Sequence, residues 1–243
     1  MLQEKLDDLI CNGLGVALMF VGRVFESRGE NLQKNLQFYI ISIIIGQICL
    51  IIVEIMNKYK KILDSWKTVF TKKDLEKILD FRSKEALDKF LYRSKKDWII
   101  KNIFYGIYVL KNYDIFELAC KIKKKSYISL ETVLKENWII FQYYEKIFLV
   151  SDNSLEKKVD EKVFVFKKIK DEILLNQLWL IHKKNYTIAS VERAICDRIY
   201  LSKNYYFDSL EWVDFEKLEE ISKIYNNKRV ILEVKKLIKK YAK

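Results

Sequence analysis

"TKKDLEKILDFRSKEALDKFLYRSKK", residues 71–96, divides into two short amphipathic segments joined by a three-residue break. Thr71 followed by Asp74 has the pattern of a capping box, and Leu75, Ile78 and Leu79 give the helix after it one apolar face. The break "DFR" leads to Ser83, which opens a second helix as its N-cap with Glu85 in the first turn. Arg93, Lys95 and Lys96 close that helix, where cations complement the helix dipole. Ala86, Leu87, Phe90 and Leu91 point inward on this reading, leaving Lys84, Asp88, Lys89 and Tyr92 outward.

Working outward, "YKKILDSWKTVF" (59–70) repeats apolar residues at Tyr59, Ile62, Leu63, Trp66 and Phe70, the stripe of a preceding helix. On the other side, "WII" and "IYVL" read as two strands flanking Gly106, the last glycine of the chain. A glycine there marks a bulge or a close backbone approach at the turn of a hairpin. Two short helices in tight succession, the second basic, followed by a hairpin have the order of a winged helix-turn-helix. In that geometry Ser83 and Lys84 meet base edges in double-stranded DNA, and Lys89, Arg93, Lys95 and Lys96 follow the phosphate backbone. Lys101 and Tyr105 extend the contact through the wing. The competing reading is a small helical core with a β extension that serves protein contacts.

Charge agrees with a polyanionic partner. The chain has 243 residues and a formal net charge of +12, but residues 1–55 carry four bases against six acids. Residues 57–110 hold fourteen bases and seven acids. Such a basic region favours nucleic acid or an anionic membrane surface. Lysine so outnumbers arginine, and proline is so completely absent, that the composition reads as an AT-rich coding sequence. Each arginine therefore carries more information than a lysine.

Enzyme chemistry finds little support. Cys11, Cys49, Cys120 and Cys196 are widely spaced and His182 is the sole histidine, so neither a zinc site nor a disulfide framework is indicated. No glycine-rich phosphate loop is possible after Gly106, and no Gly-Ser turn with paired aspartates is present. Asp152 with "EKK" at 156–158 is too closely spaced for a metal-dependent nuclease motif. The expectation is a protein with no catalytic residues, no metal and no cofactor.

The first 55 residues differ from the rest. Five of six glycines lie there, and Asn35 to Val53 is uncharged. The break at 55/56 favours translation starting at Met56, with residues 1–55 as upstream sequence. A single-pass membrane anchor at residues 36–53 is the alternative to a cytoplasmic protein, and two buried helices packed on the body come third.

Beyond Val109 the chain reads as mixed helix and strand. "SYISLETVLKENWII" (126–140) is expected as one amphipathic helix. "YEKIFLVS", "EKVFVFKKI", "LWLIHKK" and "YTIAS" read as strands. "SVERAICDRIYL" is a helix capped by Ser190, followed by helices at "DFEKLEEISKIY" and "RVILEVKKLIKKY". Glu192, Arg193 and Asp197 form a polar set on one helix, read as an internal ion pair or cap. The fold class is α+β, a winged helix-turn-helix at 56–110 followed by an α+β domain at 111–243.

"FTKKDLEKIL", "YGIYVL", "FELACKI…SYISLETVL" and "IASVERAICDRIYL" occur in an order that resembles the AbiEi-type antitoxins of type IV toxin–antitoxin systems, over about residues 57–225. The resemblance implies a bacterial, cytoplasmic protein whose N-terminal winged helix binds its own promoter and represses the operon. It also implies a C-terminal domain that counters a nucleotidyltransferase-like toxin, functionally and by direct contact or indirectly. It supports a start at Met56 as well. Val191 stands where family members commonly have proline, the favoured first helical residue.

Overall fold

The computed structural model describes the backbone of residues 32–81, 83–96 and 99–241. Helices and mixed sheets make the fold α+β. The chain divides into two compact units after Trp66.

In the first unit, helix α1 runs from Leu32 to Asp64. It ends because Ser65 turns back on it, donating both its N–H (3.2 Å) and its hydroxyl (2.6 Å) to the Ile62 carbonyl. Trp66 then takes a left-handed conformation, φ 57°. The apolar stripe at 59–70 thus overruns the helix, and Phe70 belongs to the next strand instead. Met56, where the composition changes, lies inside α1. The portion Ile40–Asp64 is long and apolar enough to cross a membrane, with mean hydropathy 2.3 and no part of its apolar window buried. Over residues 40–52, nine Ile and Leu side chains are each more than 40% exposed.

The second unit opens with β1 (Val69–Thr71), α2 (Lys72–Leu79), α3 (Lys84–Lys96), β2 (Ile100–Phe104) and β3 (Ile107–Leu110). The three strands form an antiparallel sheet in the order β1-β3-β2. Thr71 caps α2 through a complete capping box with Asp74, and α2 ends on Asp80 in the left-handed region, φ 48°. Ser83 caps α3, its hydroxyl accepting from the Ala86 N–H at 3.2 Å.

A six-stranded mixed sheet follows, in the order β6-β7-β5-β4-β9-β8. Its strands are β4 (Ser126–Ile128), β5 (Ile147–Ser151), β6 (Leu155–Val159), β7 (Lys162–Lys168), β8 (Leu180–His182) and β9 (Thr187–Ala189). The helices of this part are α4 (Ile115–Ile122), α5 (Glu131–Glu136), α6 (Asp171–Leu174), α7 (Val191–Leu201), α8 (Phe215–Ile224) and α9 (Lys228–Tyr241). The stretch expected as one helix at 126–140 is divided instead. Ser126–Ile128 is strand β4, hydrogen-bonded between β5 and β9. Leu130 breaks the chain with φ 57° and ψ −139°, and α5 is only six residues long. Tyr127 to Leu134 are all buried, so neither helical nor strand periodicity is visible there.

Residues on either side of the expected boundary at 110/111 share one core, which includes Val69 and Val109 from the small sheet and Leu118, Ile128 and Leu149 beyond it. The joint is also polar. The fully buried Glu117 carboxylate accepts from the Thr68 N–H (2.8 Å) and hydroxyl (2.7 Å).

Lys121 of α4 reaches Asp74 of α2 at 2.8 Å. Burial pushes the Asp74 carboxyl up, but hydrogen bonds from Lys121 and Thr71 outweigh this and hold it at about 2. A carboxyl lowered on folding contributes stability that is complete above its unfolded value and is lost as pH falls toward the folded one. Between about pH 5 and 2 this link is therefore expected to weaken the fold. Lys121→Met should move the acid-unfolding midpoint upward, read by circular dichroism. An unchanged midpoint would mean that Lys121 does not stabilise the Asp74 carboxylate.

Candidate nucleic-acid interface

The exposed face of α3 carries Lys84, Glu85, Asp88, Lys89, Tyr92, Arg93 and Lys95, while Leu87, Phe90 and Leu91 are buried beneath it. Ser83, Lys84, Lys89, Arg93 and Lys95 thus all lie at the surface along one helix. The side chain of Lys96 lies outside the described residues. Ser94, among the outward-facing neighbours, is buried and donates its hydroxyl to the Phe90 carbonyl at 2.8 Å.

Glu85 and Asp88 are the acidic residues on this face, and Lys72 of α2 neutralises Asp88 at 2.6 Å. The hydrogen bond to Asp88 raises the Lys72 ammonium above its ordinary value. Glu85 is lowered, first by a hydrogen bond to its own backbone N–H and then by Ser83. Asp88, Lys89, Tyr92 and Arg93 line a shallow, open depression. Of the four arginines with described side chains, Arg93 alone is exposed. The other three, Arg193, Arg198 and Arg229, are used internally, which makes Arg93 the distinctive cation of this face.

The hairpin lies beside this helix. Its register shifts between Asn102 and Phe104, and Gly106 follows with φ +66°. The Gly106 carbonyl accepts from the Lys72 N–H at 3.2 Å, which ties the hairpin turn to the start of α2. Tyr105 at the tip is 89% exposed. Lys101, on the same hairpin, is engaged at 3.2 Å by Asp160 from the β6–β7 turn. Both partners are largely exposed, so the pair is weak and exchangeable.

A side chain at Gly106 would meet no atom within 4 Å, so substitution acts through the backbone alone. Gly106→Val is expected to cost about 1–2 kcal/mol from the left-handed conformation. If the hairpin contacts DNA, affinity in a gel shift should fall with helical circular dichroism unchanged; full affinity would mean that the hairpin makes no contact.

The polar set on α7 is internal. Arg193 is fully buried and donates to the carbonyls of Ile173 (2.7 Å) and Leu178 (3.0 Å). It faces Asp197 at 4.0 Å. Asp197, also fully buried, accepts from the hydroxyls of Ser129 (2.7 Å), Tyr225 (2.6 Å) and Tyr127 (3.1 Å). Burial pushes the Asp197 carboxyl up, and the Tyr127 and Tyr225 phenols up with it. Glu192 accepts from the Asp214 N–H at 3.4 Å. Arg198 pairs with Glu131 at 3.2 Å, and Arg229 caps the end of α7 by donating to the carbonyls of Tyr200 and Ser202.

A second surface feature escaped sequence reading. The segment 138–143 is joined to residues 208–209: the Asp208 N–H donates to the Ile139 carbonyl at 2.9 Å and the Asp208 carboxylate accepts from the Phe141 N–H at 2.8 Å. These loops expose Trp138, Phe141, Tyr143, Tyr206 and Trp212. Trp138 is held at φ 59°, an uncommon backbone for a bulky residue. No family model and no curated protein matches the chain.

Proposed function

We propose that residues 56–110 act as a winged helix-turn-helix that binds double-stranded DNA at the protein's own promoter and represses its operon. The observation that carries this reading is the order β1-α2-α3-β2-β3, with the exposed basic face of α3 beside a hairpin tipped by Tyr105. Lysines act as point charges and Arg93 as a planar fork, so phosphate contacts supply most of the affinity. Ser83 and Lys84, at the start of α3, are the residues in reach of base edges.

On this reading the protein is the antitoxin of a type IV toxin–antitoxin system, with no catalytic role and no metal or cofactor. The motif resemblance supports it, and the exposed aromatic loops of the α+β domain at 111–243 offer a surface through which a nucleotidyltransferase-like toxin is countered. Its setting is the cytoplasm, where the promoter is. The second reading, a membrane-anchored winged-helix regulator with a sensing C-terminal domain, is favoured by the apolar, exposed α1.

Co-expression with the product of the adjacent gene in a growth assay tests the antitoxin role. Relief of growth arrest by the full chain is expected. Arrest that persists despite normal expression would leave the regulator reading standing alone.

A further inference from the structure

We propose that Asp160 is a stand-in for a DNA phosphate: in the free chain it holds Lys101 of the β2–β3 hairpin, and DNA displaces it to engage that lysine. The inference rests on the DNA-binding reading and adds to it a residue, outside 56–110, that sets the affinity.

The geometry is a contact between two hairpins. Asp160 and Glu161 form the two-residue turn between β6 and β7, since Val159 and Lys162 are paired across it. From that turn one oxygen of the Asp160 carboxylate lies 3.2 Å from the Lys101 ammonium. The other accepts from the Tyr113 hydroxyl at 3.5 Å. Further back on β6, the Lys157 ammonium sits over the Phe104 ring, 5.0 Å from its centre. Phe104 meets the ring of Tyr105 edge-on at 5.2 Å. Two contacts therefore seat the β6–β7 hairpin against strand β2, one on a lysine and one beside the exposed tyrosine of the tip.

The turn itself does not require a carboxylate. Asp160 has φ 56°, in the left-handed region. Glycine and asparagine suit such a turn position equally well, and neither carries a charge. What the aspartate adds is the contact with Lys101 and Tyr113. To a lysine, a carboxylate offers what a phosphate offers, an anionic oxygen within hydrogen-bond distance. The side chains of Lys101 and Asp160 are 58% and 39% exposed, so solvent reaches the pair and a phosphate can take the place of the carboxylate at little cost. Glu161, the neighbouring turn residue, is exposed and makes no hydrogen bond or ion pair among the described residues. Through Asp160, the region after residue 110 thus lowers the DNA affinity of the region before it.

The test titrates the full chain, Asp160→Asn, Glu161→Gln, Lys101→Ala and the double variant Lys101→Ala with Asp160→Asn on promoter and random DNA, by fluorescence anisotropy at several salt concentrations. Asparagine tolerates the left-handed turn, so the fold should be kept, which circular dichroism checks. Asp160→Asn should bind both DNAs about two- to fivefold more tightly at low salt, the factor that releasing an exposed ion pair supplies. Its salt slope should steepen by up to about one, as for one added phosphate contact. Glu161→Gln removes an equal charge without releasing Lys101 and should gain clearly less. In the Lys101→Ala background, Asp160→Asn should gain no more than Glu161→Gln does in the wild type. Equal gains from the two carboxylate changes, or an undiminished gain without Lys101, would overturn the phosphate role. Wild-type binding with no gain in Asp160→Asn would overturn it too and leave the DNA-binding reading intact. No binding by any of the chains at low salt would overturn both.

Discussion

Replacing Arg193 with methionine is expected to destabilise the unit formed by residues 67–243 by about 3–5 kcal/mol, because it leaves a buried carboxylate without its cation. The guanidinium bonds carbonyls at Ile173 and Leu178 while facing Asp197, so it joins α6, the approach to β8, and α7. Two carbonyls would lose their donor as well. In thermal unfolding of the full chain this corresponds to a fall of roughly 6–20 °C. Asp197→Leu should be comparably harmful, since it strips the hydroxyls of Tyr127, Ser129 and Tyr225 of their acceptor. The double variant should lose less than the sum of the two, because the unpaired charge is then gone. Midpoints within a degree of wild type would show that the buried pair is not what holds these elements together.

The second large effect concerns DNA. Changing Lys89, Arg93, Lys95 and Lys96 to alanine together is expected to lower the slope of log affinity against log salt by about 4, roughly one per lost phosphate contact. Affinity should fall for promoter and random DNA alike, since phosphates carry no sequence. The fold should not change: Lys89, Arg93 and Lys95 are exposed on α3, and the helix is anchored by Leu87, Phe90 and Leu91 below. An unaltered slope in a gel shift or fluorescence titration would make this face a solvated surface.

How much of this was legible in the residues depended on how local the physics was. The caps at Thr71, Ser83 and Ser190 bond backbone N–H groups within three residues, so a short sequence window contains the whole interaction. The hairpin around Gly106 and the helices α7, α8 and α9 are legible for the same reason, because each has a turn residue or an apolar face of its own. Strand β4 is not, since burial on both sides erases any alternation between Tyr127 and Leu134. Strand β6 is obscured differently: "LEKKV" is a charged edge strand whose place is set by pairing with β7.

Contacts made across the chain were the least visible. Glu117 binds Thr68 across 49 residues and Lys121 binds Asp74 across 47, and both knit the region before residue 110 to the region after it. Lys84, Asp88, Lys89 and Tyr92, read as outward, are exposed on α3, because helical periodicity fixes which residues point out. That Lys101 is held by Asp160 needed the fold, as did the meeting of Ile139 and Phe141 with Asp208.

The most direct test of the DNA-binding account is a titration of the full chain and of Lys84→Ala on the protein's own promoter and on random DNA of equal length, at several salt concentrations. The wild-type chain should prefer the promoter, with affinity falling steeply as salt rises. Lys84→Ala should lose about 1–3 kcal/mol of that preference while keeping its affinity for random DNA nearly unchanged. Equal affinity of the wild-type chain for both DNAs, or no binding at low salt, would contradict promoter recognition by α3.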